Sequence, residues 1–258
     1  MVNWFGWGSK ELNNVQKANS SSKKTKYYQS SQTSPEEIYD PSKLTDFRNK
    51  ASNYYNNNYL YHTIVGRKLN EELGQKGYTL NYKPILSILG VEDSEQTRKY
   101  IKLVEDKYKL FNKKSFIGGV DASGAMDGAQ LQRRIRLETL IKGDVLVVIS
   151  KNPKTQMPSV KLYNSDYLVT PVTEEDEARK IKVKYGVRLD SANKATAFYV
   201  STGKDGQVEK IPAYTKDGRL SAFLVYGENR RISDIRGFPP LYRIIKPIQD
   251  ISKIMNSE

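Results

Sequence analysis

The 258-residue chain has no cysteine and a single histidine, His62. Those two shortages remove every mechanism that needs a thiol nucleophile, a Cys/His zinc site or a multi-histidine metal centre within one subunit, and they remove a disulfide framework. Long hydrophobic runs are missing too. Val145 to Ile149 and Ala222 to Tyr226 are the longest, at five residues each, far short of the roughly 20 that a membrane-spanning helix needs. The first residues, MVNWFGWGSKELNN, carry no basic region and too short an apolar run for a signal peptide, so no membrane partner is expected. A Gly-Lys-Ser/Thr phosphate loop is absent, as are helix-turn-helix, zinc-finger and RNA-recognition signatures.

Positive charge is what the chain has in excess. Lys plus Arg number 42 against 29 Asp plus Glu, a net charge of +13. Such an excess fits a polyanionic partner (nucleic acid, an anionic surface or an acidic protein), and charge alone does not choose among them. With 38% hydrophobic residues the chain can still bury a core, and its length suits one large domain or two small ones. Residues 8–40 are the exception: almost without aliphatic side chains and rich in Ser, Lys, Asn and Gln, they cannot offset their ordering entropy by burial and read as a flexible basic arm. Trp4, Phe5 and Trp7 precede the arm and read as a tail that is either disordered or docked on a partner, in preference to a core element of this chain.

Order is expected from Asp40. In DPSKLTDFRNKASNYY, Ser42 is placed to cap a helix, and Leu44, Phe47, Ala51, Tyr54 and Tyr55 recur at spacings of three and four. A second helix runs through YLYHTIVGRKLNEELG with Leu60, Ile64, Leu69 and Leu73 as its stripe, closed by Gly74 or Gly77. His62 falls inside it without a second histidine or an acidic pair, and reads as a packed or surface side chain. A third helix, SEQTRKYIKLVEDKYKLFNKK, opens on Ser94 and follows Ile101, Val104, Tyr108 and Leu110.

The glycine-rich stretch FIGGVDASGAMDGAQ fails as a calcium loop. Starting at Asp121 it places Ser123 and Asp127 acceptably, but its twelfth residue, Gln132, cannot supply a bidentate carboxylate, which leaves a turn-rich connector. In AQLQRRIRLETLI, from Ala129 to about Ile141, Leu131, Ile135, Leu137 or Glu138 and Ile141 lie around a buried face, with Arg133, Arg134 and Arg136 outside. KGD breaks this helix, and VLVVIS follows as a short strand buried on both faces.

Thereafter the period becomes two. Ile181, Val183, Tyr185, Val187 and Leu189 alternate with Lys182, Lys184, Gly186 and Arg188, the pattern of one half-buried strand. Turns at SANK, GKDGQ and KDGR separate ATAFYVST, VEKIPAY and LSAFLVY, so residues 145–226 read as an antiparallel meander, with TEEDEARK a solvated loop or helix start. In PPLYRIIKPIQDISKIMNSE, Pro240 suits a first helical turn, and Leu241, Ile244, Ile245, Ile248, Ile251, Ile254 and Met255 form one apolar face across a kink expected at Pro247. Each such side chain left wet would cost about 1.5–3 kcal/mol, so the face packs back on the meander or meets sequence or subunits outside this chain. The expected fold class is α+β: N-terminal helices, an antiparallel meander and a C-terminal amphipathic helix.

A search for chemistry returns little. Only carboxylates could build a two-metal site, from Asp121, Asp127, Asp144 and Asp166 at loop or element ends, and their spacing is not diagnostic. No catalytic, metal or cofactor-binding residue is singled out. The profile is that of a binding or structural protein, and an accessory protein that holds nucleic acid nonspecifically through counterion release is the alternative reading.

The order of the segments carries more than any one of them. RNKASNYYNNNYLYHTIVGRKLNEELGQKGYTL, VDASGAMDGAQLQRRIRLETLIKGDVLVVI, GVRLDSANKATAFYV, and IPAY followed by ISDIRGFPPLYRIIKPIQDI together resemble the N-terminal, wing-containing half of a tailed-bacteriophage portal protein of the lambda type, across about residues 45–255. The matching motif positions are Asp121 and Gly124, Gly143 and Asp144, Asp190, Pro212, and the Arg236, Gly237, Pro239 and Leu241 of an Arg-Gly-x-Pro-x-Leu signature. Two stretches depart from the pattern: TKDGRLSAFLVY replaces the usual His and hydrophobic pair after Ile-Pro-Ala, and NRRISDI replaces the Arg-x-x-Gln before the signature. The resemblance implies a structural role for the motif positions. It implies a basic arm over 1–40, a wing-like α+β domain over 41–235 and, over 236–258, the start of the helix leading to a stem and clip. It also implies a non-enzymatic ring, usually of twelve copies, at one capsid vertex, acting in the virion and, during assembly, in the host cytoplasm. Its expected partners are terminase, capsid and neck or tail proteins and double-stranded DNA passing through the channel; because the family's stem and clip segments are expected beyond this chain, the resemblance implies either a truncated or split product or a C-terminal companion chain.

Overall fold

Helix α1 runs from Pro41 to Asn57, one residue ahead of the expected cap. Proline itself takes the first position, where its missing N–H is no loss, and Ser42 falls inside the first turn. The computed structural model describes residues 41–114, 119–152, 155–203, 207–227 and 234–255; the basic arm and its Trp4, Phe5 and Trp7 lie outside the described residues. On the predicted face of α1, Leu44 and Ala51 are buried and Phe47, Tyr54 and Tyr55 half-buried.

Helix α2 (Tyr59–Leu73) is capped by the side chain of Asn58, which accepts the Tyr61 N–H, and Gly74 closes it at φ 61°. Its buried row is Tyr61, Val65, Leu69 and Leu73, whereas Leu60 is exposed and Ile64 half-buried. Steps of four keep a side chain on one face, but the step of five from Ile64 to Leu69 turns off it, so the true stripe is displaced by one residue from the expected one in its first half. His62 lies on the surface, stacked on Tyr55 with ring centroids 4.6 Å apart.

A single helical turn, α3 (Leu86–Leu89), precedes α4 (Glu95–Phe111), whose cap Ser94 accepts the Thr97 N–H. No residue of α4 is buried. Helix α5 (Gly128–Lys142) opens with a reciprocal capping box between Asp127 and Gln130. It buries Leu131, Leu140 and Ile141 along with Glu138, and it keeps Ile135 and Leu137 half-buried. Arg136 is not outside as expected: it lies half-buried against Glu72, with Nη2 2.8 Å from Oε1.

Seven strands among the described residues form two antiparallel sheets. β1 (Asp144–Lys151) lies between β2 (Pro158–Asn164) and β7 (Ala222–Tyr226), with Leu146 opposite both Tyr163 and Leu224. After β2 comes a short helix, α6 (Glu174–Ala178). The second sheet runs β3 (Lys182–Lys184), β4 (Val187–Leu189), β5 (Ala195–Ser201) and β6 (Val208–Pro212). Only this second sheet is a meander, since β7 leaves it to pair with β1. Residues 181–189 are a hairpin and not one strand: Lys184 pairs with Val187 across Tyr185 and Gly186, whose φ values are 55° and 80°. Two consecutive left-handed residues make the tight turn that suits strand twist, and counting in twos passes over a two-residue turn unseen.

Leu146, Ala222 and Leu224 of the first sheet share a core with Val187, Leu189, Phe198, Val200 and Ile211 of the second. A second core is helical and joins Tyr61, Val65, Leu69 and Leu73 to Leu140 and to Leu241, Ile245 and Ile248. The last three come from a 3-10 helix, Pro240–Ile244, and from α7 (Ile245–Met255). Pro247 sits in the first turn of α7, where proline is tolerated, so the expected kink is replaced by the change from 3-10 to α geometry. The apolar face therefore packs over its first half, on helices and not on the meander, and Ile251, Ile254 and Met255 stay 45%, 64% and 72% exposed. The α+β class stands as expected, and no helix among the described residues is long and apolar enough to cross a membrane.

Candidate functional site

An arginine one turn after Leu44 and three residues before Ala51 points its guanidinium inward with the apolar stripe of α1, and must meet a charge there. Arg48 is 4% exposed. Its Nε donates to the Lys142 carbonyl at 2.7 Å, and Nη2 donates to the Asp144 carboxylate at 3.2 Å and to the Gly237 carbonyl at 3.3 Å. Asp144, the first residue of β1, is wholly buried. Its oxygens also accept from Arg236 Nε at 2.7 Å, Arg236 Nη2 at 2.9 Å, the Gly237 N–H at 2.7 Å and the Ser165 hydroxyl. Arg236 in turn donates to the Tyr185 carbonyl through Nη1 and to the Ser165 carbonyl through Nη2, both at 2.9 Å. One carboxylate thus ties together α1, the end of α5, β1, the turn after β2, the β3–β4 hairpin and the segment leading to α7.

Backbone approach at this point is as close as chemistry allows. Gly143, at φ 90°, and Gly237 lie so near that a Cβ on either would collide with the other's carbonyl, and a Cβ on Gly227 would strike the Thr139 carbonyl. The Gly227 N–H donates to the Gly143 carbonyl at 2.8 Å. Burial alone would push the Asp144 carboxyl up, but Arg236 and Arg48 overcome it and hold the group down at about 2. Burial brings Arg48 down to about 10 against the pull of Asp144. Tyr226 is raised to about 12 by burial and by the negative charge of Asp144. A carboxylate so fully engaged has no lone pair left for a substrate or a cation; what it can do is hold elements in register.

Four motif positions far apart in sequence, Gly143, Asp144, Arg236 and Gly237, therefore converge here. Pro239 and Leu241 are buried just beyond them, Pro239 at the start of the 3-10 helix. The other motif positions lie elsewhere. Asp121 ties its own loop, accepting the N–H groups of Ser123, Ala125 and Met126 and the Ser123 hydroxyl. Gly124 turns that loop at φ 69°, in the open. Asp190 accepts the Ala192 and Lys194 N–H groups in the β4–β5 turn, and Pro212 ends β6. The carboxylates weighed as a two-metal set have separate employment: Asp127 caps α5, and Asp166 pairs with Lys142 Nζ at 2.6 Å. No group of three metal-capable side chains occurs among the described residues.

Sequence reasoning missed Arg48 and Ser165; only the place of Arg48 within an apolar stripe could have drawn attention to it. It also took TEEDEARK as wholly solvated. The segment is a helix start, as α6 shows, but Asp176 within it is buried, accepting the Tyr199 hydroxyl beside Arg188 Nε at 3.1 Å. Burial and this hydrogen bond push Tyr199 up to about 12. Basic side chains gather instead around an open cleft of about 980 Å3, where Lys76, Lys109, Lys113 and Lys114 surround Tyr78 and Tyr108.

No match is found among curated proteins. The model of the lambda family of phage portal proteins matches residues 21–258. That span takes in the whole of the Asp144 junction, and the chain belongs to the lambda family of phage portal proteins.

Proposed function

We propose that the chain is a structural subunit of a portal ring of twelve copies at one capsid vertex. Double-stranded DNA passes through that ring during packaging and ejection, and the ring meets terminase during assembly and neck or tail proteins afterwards. The observation that carries this reading is the family match over residues 21–258. The convergence of four motif positions on a saturated, buried clamp supports a structural role for the motif, because a group with no free lone pair neither reacts nor binds. The reading makes the protein a non-enzymatic part of the virion. Electron microscopy of native particles labelled on this chain tests it: a ring at a single vertex is expected, and label spread over the capsid lattice or absent from the particle overturns it.

The Lys-lined cleft favours a second reading, a surface that holds nucleic acid by phosphate contact. Duplex binding by the purified chain should then fall by orders of magnitude between about 50 and 200 mM salt, and Lys109→Glu with Lys113→Glu should abolish it.

A further inference from the structure

Two segments far apart in sequence form the walls of the Lys-lined cleft, and the start of α5 holds both. On one wall the Tyr78 N–H donates to Gln132 Oε1 at 2.6 Å, and Gly77, at φ 66°, lies so near α5 that a Cβ on it would stand 3.1 Å from the Ala129 Cα. On the other, the Asn112 carbonyl accepts the Gly128 N–H at 2.8 Å, and Asn112 Nδ2 donates to the Tyr108 carbonyl, also at 2.8 Å. The backbone of both walls is therefore fixed. Yet Tyr78 is 64% exposed and Tyr108 is half-buried, and both line a cleft of about 980 Å3, a volume in the range that holds small ligands.

Charge in the cleft is one-sided. Lys76, Lys109, Lys113 and Lys114 face a single carboxylate, Asp127, which already caps α5. Lys109 shares its charge with Asp106 at 3.2 Å, and Glu105 beside it accepts the Tyr82 N–H at 3.0 Å. No ion pair engages Lys76, Lys113 or Lys114 among the described residues, and all three are exposed. Lysines alone would accept any polyanion. Tyrosines among them narrow the choice, because a nucleic acid brings both the phosphate that lysine neutralises and a flat base that stacks on an aromatic ring, whereas an acidic protein surface supplies only the charge. A base inside a duplex must leave its stack and its pair before it enters a pocket, so the strand that fits is an unpaired one.

We infer that this cleft binds single-stranded nucleic acid, with an unpaired base stacked on Tyr78 and the flanking phosphates met by Lys76, Lys113 and Lys114. The inference rests on the phosphate-contact reading of the same cleft and adds that a base is held as well. Fluorescence anisotropy of the full chain with labelled oligonucleotides of about ten nucleotides tests it, using a thymidine strand, the same strand in a duplex, and an abasic strand of equal length and charge. The thymidine strand should bind about tenfold or more tighter than either of the others, and Tyr78→Ala should remove most of that advantage while Tyr78→Phe keeps it. Lys113→Gln with Lys114→Gln should weaken every strand alike and flatten the salt dependence. Tyr78 is exposed, so an unchanged circular dichroism melt is expected of its variants, and the comparison of strands on the wild type decides the question even where a variant does not fold. Equal affinity for the thymidine and abasic strands, or a duplex bound as tightly as the single strand, overturns base stacking and leaves the phosphate-contact reading standing, as does a folded Tyr78→Ala variant that loses nothing. Poly-glutamate bound as tightly as the thymidine strand overturns the inference in favour of an acidic protein. Absence of binding to every strand overturns both readings of the cleft.

Discussion

Arg236 grips Asp144 through two parallel hydrogen bonds, Nε to Oδ2 at 2.7 Å and Nη2 to Oδ1 at 2.9 Å, across 92 residues of intervening chain. Bidentate geometry with full burial makes removal of either partner costly, since the survivor is a desolvated charge. Asp144→Ala should lower unfolding stability by about 3–5 kcal/mol, read as a shift of the urea midpoint. Arg236→Ala should do nearly as much, and the double variant much less than the sum. Additive losses would show that the two side chains act independently.

Two glycines that both have positive φ should respond differently to a methyl group. Around Gly124, at φ 69°, a Cβ would meet nothing within 4 Å, whereas at Gly143, with φ 90°, it would run into the Gly237 backbone. Gly124→Ala should cost about 1–2 kcal/mol, the conformational strain alone, and Gly143→Ala distinctly more through collision with rigid backbone. Equal midpoint shifts in chemical denaturation would contradict the close approach.

The C-terminal helix offers a contrast between covered and uncovered isoleucines. Ile248 is 2% exposed and Ile254 is 64% exposed. Ile248→Ala should cost about 2–5 kcal/mol, while Ile254→Ala should stay within about 0.5 kcal/mol in the dissociated chain. Thermal melts of the two variants at low protein concentration give the comparison.

Acid should loosen the junction in a definite window. The Asp144 carboxyl is held at about 2 in the folded chain, below its usual value near 4 in an unfolded one. A depressed carboxyl contributes stability that is complete above the unfolded value and lost as pH falls through the folded one, here between about pH 4 and 2 and worth about 2 kcal/mol. Glu72, held at about 2 chiefly by its hydrogen bond to Arg136, acts with the same sign. Urea midpoints taken from pH 5 down to pH 2 should fall in the wild type, and the fall should be smaller in Glu72→Gln.

Local signals carried much of the fold. Ser94 caps its helix as its position before an apolar row requires, and the turns at SANK and KDGR fall where glycine, asparagine and aspartate place them. What escaped was non-local. Leu60 and Ile64 are as apolar as Tyr61 and Val65, and only the unbroken spacing of four picks the right row. The hairpin at Tyr185 and Gly186 keeps its residues alternating in character, so periodicity offered no reason to break it. Gly143, Asp144, Arg236 and Gly237 were legible only as motif positions, because no local rule says that an aspartate will meet an arginine so far along the chain. Arg48 was legible only as a charge set within an apolar stripe, and its partner, 96 residues away, was not legible at all.

The Asp144 junction also sets an order of events. Asp144 and Arg48 emerge from the ribosome long before Arg236 and Gly237, which supply three of the donors to that carboxylate. Until they arrive, sheet and helices can form, but closing them would bury an acid against one guanidinium and leave lone pairs empty. Contacts of such long sequence separation are also the slowest to form. The body therefore locks late, once the segment after β7 that carries Arg236 and Gly237 has been made, and until then the wholly buried Asp144 waits without most of its donors.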